Sequence, residues 1–325
     1  MPAESAAGGD RKVLFYRDFR KFHGGHLKVW DYFNHTREAP GFEPVIGFSE
    51  RTIWGEANPW AAVPDLVADD YDAVRPDLFF VAGRDWHRMD AHPTAGPDLP
   101  VINLVQSVRH ADPEGTRFEF LGRPAIRICV SEVIAEAVRQ TGLVAEPLFA
   151  IPNGIDVQHL EGGDPSEAEV DVLLAGLKQP ERTRDLAGRL EREGLRVKAF
   201  TDLVPRGEFT EAIRRATVTV FLPLPTEGFY LPPLEGMALG TIVICPEHSG
   251  ERSIYRHGEN CFRPPYDDDA LVAAVHEALA LDEPARGRMR AAARLTAEEH
   301  SLDAERAAFG EVLAQVDELW AELRP

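Results

Sequence analysis

Two glutamates, Glu227 and Glu235, stand with seven residues between them in Pro223-Leu-Pro-Thr-Glu-Gly-Phe-Tyr-Leu-Pro-Pro-Leu-Glu-Gly-Met-Ala-Leu-Gly-Thr241. The preceding run, Ala216-Thr-Val-Thr-Val-Phe-Leu222, is β-branched and apolar and predicts a buried strand. Pro223 to Tyr230 is broken by proline and glycine and predicts a loop. Pro232 and Pro233 suit the first positions of a helix, where a missing N–H costs nothing. Gly240 stops that helix, and Thr241-Ile-Val-Ile-Cys245 predicts a second buried strand. Glu227 therefore falls in a loop and Glu235 in a first helical turn. Loops beyond the carboxyl ends of parallel strands bind ligands in open α/β sheets. A helix N-terminus there favours an anion, phosphate above all, and a carboxylate beside it accepts hydrogen bonds from paired sugar or ribose hydroxyls. Taken singly, Glu235 could instead only complement the helix dipole, and Glu227 could be a solvated loop acid.

As a pair in this setting, Glu227-Gly-Phe-Tyr-Leu-Pro-Pro-Leu-Glu235, continuing through Gly236-Met-Ala-Leu-Gly240, resembles the signature of GT4-type retaining glycosyltransferases. The resemblance implies an α/β chain with the GT-B fold: two Rossmann-like, doubly wound domains facing a cleft, and a C-terminal helix crossing back to the first domain. It implies a hexosyltransferase-like enzyme that uses a nucleoside diphosphate sugar and needs no metal or other cofactor. In that family the second acid holds the ribose hydroxyls, a role that falls on Glu235. The first acid and the backbone after it hold the donor sugar, which assigns Glu227, Gly228, Phe229, Tyr230 and Leu231 to donor binding. Gly24-Gly25, between the strand Lys12–Tyr16 and the helix Leu27–His35, matches the family's glycine pair beside the donor phosphates. After the strand Asp171–Ala175 the family places Gly-Arg and a later lysine on the diphosphate. Here Leu177 replaces the arginine, Lys178 follows it, and Arg182 takes the lysine's place. The catalytic set implied is Glu227, Arg182 and His110, the last being the histidine after the strand Val101–Val105. His248-Ser-Gly-Glu-Arg252 resembles the family's loop near the donor sugar.

Composition sets the wider limits. The chain has 325 residues, 44% hydrophobic and 27% charged, the range of a soluble globular protein large enough for two domains. A net charge of −19 argues against nucleic acid and against an anionic membrane surface, and favours a small or soluble acceptor. Residues 1–10 lack an apolar core for a signal peptide, and no run approaches a membrane span. Cys129, Cys245 and Cys261 lack metal-ligand spacing and read as free thiols in a reducing cytoplasm. Nothing in the chain fixes an oligomeric state.

The elements that must position these residues follow in order. Strands are expected at 12–16, 44–48, 77–82, 101–105, 126–130, 171–175, 196–200, 216–222 and 241–245. Ser131 is expected to cap a helix. Asp267, Asp268 and Asp269 precede Leu271, Val272, Val275 and Leu279 at helical spacing and read as N-terminal caps rather than metal ligands. The stretch 49–70, with Trp54, Asn58 and Trp60, has no clear period and reads as a functional or mobile insertion. With Arg84, Asp85, Trp86 and His87 after one strand and Gln106 after the next, it supplies the acceptor-side candidates, chiefly Trp54, Asp85, Trp86 and Gln106. The turn-rich Ile151-Pro-Asn-Gly-Ile-Asp156 places a boundary near residue 151. The expected domains are 1–150 on the acceptor side, 151–301 for the nucleotide sugar, and 302–325 as the returning helix. Two other readings stay open at this stage: a nucleotide-sugar-binding protein without catalysis, suggested by Leu177, and a glycoside hydrolase using the two glutamates.

Overall fold

A computed structural model describes residues 9–21, 24–160, 162, 168–250 and 253–323. Residues 1–8, most of the acid-rich stretch after Leu160, and Glu251-Arg252 lie outside the described residues. The chain forms two compact units, Met1–Ile151 with Arg306–Pro325, and Pro152–Glu305.

The first unit runs β1 (Arg11–Arg17), α1 (Gly24–Glu38), β2 (Phe42–Phe48), β3 (Leu78–Ala82), α2 (Trp86–Asp90), β4 (Val101–Val105), β5 (Ile126–Cys129), α3 (Glu132–Arg139) and β6 (Leu148–Ala150). All six strands pair in parallel in the order β2-β1-β3-β4-β5-β6. β3 and β4 are buried along their whole length, which is why their sequences do not alternate; β3 is apolar throughout, and the one polar residue of β4, Asn103, is satisfied by donating to the Val81 carbonyl at 3.1 Å. β6 is three residues long, too short to carry a period that sequence could reveal.

Helix α1 hides polar groups that amphipathic spacing does not anticipate. Val29, Tyr32 and Phe33 are buried, and so are Lys28 and Asp31, one turn apart, whose charges meet at 2.8 Å. The insertion after β2 is ordered. It coils through three short 3-10 turns, at Pro59–Ala62, Pro64–Leu66 and Tyr71–Ala73. Trp60 pins it, wholly buried among Phe19, Trp30, Phe33 and Phe48.

The second unit runs β7 (Val170–Ala175), α4 (Pro180–Arg192), β8 (Val197–Phe200), α5 (Arg206–Arg214), β9 (Ala216–Phe221), α6 (Pro232–Leu239), β10 (Ile242–Ile244), α7 (Asp268–Ala280) and α8 (Glu283–Glu299). Its parallel sheet has the order β10-β9-β7-β8. Val172, Leu174, Val218 and Val220 from the strands pack with Leu186, Leu190, Val275 and Met289 from the helices. The C-terminal stretch expected as one helix is two, α9 (Leu302–Ala314) and α10 (Val316–Leu323), parted at Gln315. From Arg306 onward it belongs to the first unit. There Phe309 meets the rings of Tyr32 and Phe80 edge-on, and the Trp320 indole N–H donates to the Pro97 carbonyl at 3.2 Å. The three cysteines are buried free thiols, and burial pushes Cys129 and Cys261 up to about 12.

Gly176, directly after β7, is where α4 comes closest to the sheet. A Cβ there would lie 1.7 Å from Thr183 Oγ1 and 3.1 Å from Leu222 Cδ1. Thr183 is wholly buried, and its hydroxyl donates to the Gln179 carbonyl at 2.7 Å, so it has no room to retreat. Gly176→Ala is expected to cost about 1–3 kcal/mol, the range for overpacking a filled site. Urea unfolding checks this; an unchanged midpoint would show that α4 slides freely on the sheet.

Candidate active site

In the second unit the chain leaves β7 for β8 on one side while β9 pairs on the other, so the loops after β7 and β9 part at a topological switch point. The β7 loop carries Leu177 and Lys178, and the β9 loop carries Glu227 to Leu231. Lys178 Nζ lies 2.5 Å from Glu227 Oε1 and 5.4 Å from the centre of the Tyr230 ring. The Glu227 side chain is only 17% exposed, so the Lys178 charge is what holds it in a desolvated position, and the Tyr230 ring steadies Lys178 in turn. Leu177 is an exposed apolar residue.

The acidic loop is braced by the segment after β10. Ser249 donates from its backbone N–H and its hydroxyl to the Pro225 carbonyl, at 2.8 and 2.7 Å. A Cβ on Gly250 would sit 2.1 Å from the Glu227 carbonyl oxygen and 2.3 Å from that of Gly228. Only glycine lets these two backbones touch. Of the loop expected at 248–252, His248, Ser249 and Gly250 are described and pack here, while Glu251 and Arg252 lie outside the described residues.

Glu235 sits in the first turn of α6 with 8% of its side chain exposed. Arg206, the first residue of α5, grips it with two parallel bonds, Nη1 to Oε2 and Nη2 to Oε1, both 2.7 Å. No sequence signal singled out Arg206, because it stands 29 residues upstream in a helix start of ordinary composition. The anion-binding donors at this turn differ from those a free helix end offers. Pro232 and Pro233 have no N–H, and those of Leu234 and Glu235 are spent on the Leu231 carbonyl. The backbone N–H groups of Gly228, Phe229, Tyr230 and Leu231 have no partner among the described residues, so the available donors lie in the loop ahead of the helix.

Arg182 is not gathered with Lys178 and Glu227. Its Nε donates to Asp268 Oδ1 at 2.6 Å, and its guanidinium carbon lies 4.5 Å above the Tyr266 ring. Gln179 and the Tyr266 hydroxyl both donate to the Pro223 carbonyl, tying α4 to the β9 loop; sequence reading missed both. Of the three acids read as caps, Asp267 alone caps α7, accepting from Ala270 N at 2.9 Å. Asp268 and Asp269 instead pair with Arg182 and Arg189. No group of three His, Cys, Asp or Glu among the described residues could hold a metal.

In the first unit, Gly24 and Gly25 open α1, and the Gln106 side chain donates to the Gly25 carbonyl at 3.3 Å. Two acceptor-side candidates are corrected by the structure. Trp86 is 1% exposed, stacked on Phe120 beneath Arg123, and is a core residue with no face for a ligand. The Asp85 carboxylate is committed to Arg17 at 2.6 Å and to the Ala82 N–H at 3.1 Å; burial raises its pKa against the pull of Arg17. Trp54 is half exposed, with its edge on Phe48, and remains open for stacking.

His110 lies in a 3-10 turn, 7% exposed. Its Nδ1 is 2.9 Å from the Ser107 carbonyl, which requires a proton on Nδ1, and its Nε2 has no partner among the described residues. Burial above all, with Arg117 and Arg127 adding to it, pushes its pKa down to about 4. At neutral pH the ring is uncharged and Nε2 is an acceptor.

The paired parallel sheets and the switch-point loops define the class, and comparison with solved structures agrees. Over 94% of this chain and 99% of the other, the fold matches Anabaena Alr3699/HepE, solved with UDP-glucose, at 15% identity and a TM-score of 0.70. Sucrose-phosphate synthase of Thermosynechococcus elongatus matches at 15% identity and a TM-score of 0.70, over 94% of this chain and 98% of the other. The lipopolysaccharide outer core galactosyltransferase WaaB matches at 14% identity and a TM-score of 0.67, over 94% and 99%. The fold is GT-B. Residues 164–296 match the family described as glycosyl transferases group 1. Comparison with curated proteins finds no match.

The buried His110 makes stability depend on pH. A histidine whose folded pKa is near 4 favours the native state fully above its unfolded value of about 6.5, and that contribution drains away as pH falls from 6.5 to 4. Over this window the wild type should lose on the order of 3 kcal/mol relative to His110→Gln. Denaturant melts at several pH values check this, and parallel curves for the two proteins would refute the neutral, buried assignment.

Proposed function

We propose that this protein is a glycosyltransferase that moves a sugar from a nucleoside diphosphate sugar to a small or soluble acceptor, with retention of anomeric configuration and without a metal. The observation that carries the reading is the pairing of Glu227 with Lys178 across the loops that part at the switch point of the second unit, with Glu235, held by Arg206, in the first turn of the helix that follows the β9 loop.

Each group has a task that its geometry suits. Glu235 offers two carboxylate oxygens to the neighbouring ribose hydroxyls, which take over from Arg206. Because the Arg206 side chain is 58% exposed, it can return to water at little cost. The N–H groups of residues 228–231, without partners among the described residues, are the donors offered to the donor's oxygens, and Glu227, steadied by Lys178, accepts from hydroxyls of the donor sugar. The leaving diphosphate gains negative charge as the glycosidic bond breaks, so a nearby cation helps the transition state more than the ground state. Lys178 is placed for this beside Glu227; Arg182 joins it on giving up Asp268. His110, neutral with Nε2 as acceptor, suits a sugar hydroxyl rather than a phosphate. Gly24, which opens α1, leaves its start bare for an anion. A uridine nucleotide is the natural first probe, since the HepE structure that shares this fold holds UDP-glucose.

The hydrolase alternative fits less well, because both glutamates are engaged by cations rather than facing each other across a bond to be cleaved. The Asp-x-Asp runs of the sequence, Asp70-Tyr-Asp72 and Asp267-Asp-Asp269, lie at a 3-10 turn and at the start of α7 rather than at a strand end, which supports catalysis without a metal. None of the described helices is long and apolar enough to cross a membrane, and we take the site of action to be the cytoplasm.

NMR of the sugar product from an α-linked UDP-glucose donor tests the reading. The α anomer should form first, at a rate unchanged by EDTA. A β product, or activity abolished by chelator, would move the protein to a different mechanism.

A further inference from the structure

In the first unit, Arg84 and Arg117 stand close together without an acid partner among the described residues. Arg84 follows the carboxyl end of β3, and Arg117 reaches the same place from the segment after His110: a Cβ on Gly83 would lie 3.6 Å from Arg117 Nε. Neither guanidinium has a carboxylate or hydrogen-bond partner among the described residues. The charged groups that Arg117 feels are cations, Arg84 and Arg109, and after burial itself they lower its pKa. Neighbouring arginines are treated differently: Arg17, Arg88 and Arg123 pair with Asp85, Asp72 and Asp90. In a chain with 54 acids and 35 lysines and arginines, such a spot could readily have been neutralised. Like charges held together with one of them half-buried cost stability, and a ligand anion removes that cost.

A second observation points the same way. His110, 93% buried by its 7% exposure, feels Arg117 and keeps an unpartnered acceptor at Nε2. Unpaired guanidinium donors with an unfilled hydroxyl acceptor nearby match one chemical class, a polyol or sugar bearing an anionic group. The carboxyl ends of β3 and β4, where these residues stand, are the ligand-binding edge of an open parallel sheet.

We propose that the acceptor carries a phosphate or carboxylate and that Arg84 and Arg117 bind it, with Arg109 adding to the positive field. This rests on the transfer reading above and assigns its second substrate a charge. Arginine suits the role, because its planar fork meets either anion with two parallel bonds.

The test is calorimetric titration of the full chain, saturated with UDP so that the cations of the second unit are occupied, using inorganic phosphate in one arm and acetate in the other. Wild type should bind one of the two saturably, and Arg84→Gln/Arg117→Gln should bind it at least tenfold more weakly, while UDP affinity stays within twofold. Arg84→Lys/Arg117→Lys keeps the charge and should fall between them, which separates loss of the site from loss of the fold. Tighter phosphate assigns a phosphorylated acceptor, and tighter acetate a carboxylated one. No saturable binding by wild type, equal binding by the Gln variant, or a tenfold loss of UDP affinity in that variant would overturn the proposal. If UDP fails to bind the wild type, the transfer reading fails instead, and phosphate titrated alone still reports on the two arginines.

Discussion

A carboxylate taken out of water needs a counter-charge, and the second unit is built around one such carboxylate. Removing an ion from solvent costs several kcal/mol even after the protein relaxes. Glu235 avoids that penalty through the two-pronged bond from Arg206. The pairing constrains its surroundings. α5 must begin at the edge of the β9 loop, and α6 must begin with residues that need no N–H partner, which Pro232 and Pro233 satisfy. Since Arg206 is solvent-facing and Glu235 is not, the arrangement is asymmetric: the acid is fixed and the cation replaceable. Under the proposed function, a nucleotide ribose that supplies two hydroxyls exchanges with the guanidinium without disturbing the core.

The same logic governs the other charges of the site. With a net charge of −19 the molecule as a whole repels phosphates. Under the proposed function, binding a diphosphate depends on local cations, and both candidates are paired with acids. Lys178 rests on Glu227 and Arg182 on Asp268. An approaching diphosphate competes with carboxylates rather than with water, which favours a ligand carrying two or more charges over a singly charged one.

Much of this was legible in sequence and some of it could not be. The strand–loop–helix–strand run from Ala216 to Cys245 announced itself, because buried parallel strands read as apolar runs and the prolines and glycines mark the loop between them. The positions of Glu227 and Glu235 followed from that run alone. What stayed hidden depends on distant partners. Arg206, Gln179 and Tyr266 join the site through three-dimensional contacts that leave no local pattern. Trp86 and Asp85 were misread for a related reason: residues after a strand end usually face a ligand, but Phe120 and Arg123 cover the indole and Arg17 claims the carboxylate. The insertion after β2 looked irregular because its order comes from one buried indole, Trp60, rather than from a repeat.

The central claim is that Glu235 is the nucleotide's anchor, and calorimetric titration of UDP into the wild type and Glu235→Ala measures it directly. Loss of a charged acceptor for the ribose hydroxyls should weaken binding by about 1.5–3 kcal/mol, roughly 10- to 150-fold. Arg206→Ala, which frees the carboxylate in advance, should bind UDP at least as well as the wild type. Equal UDP affinity in wild type and Glu235→Ala, with the fold of the variant intact, would contradict the account.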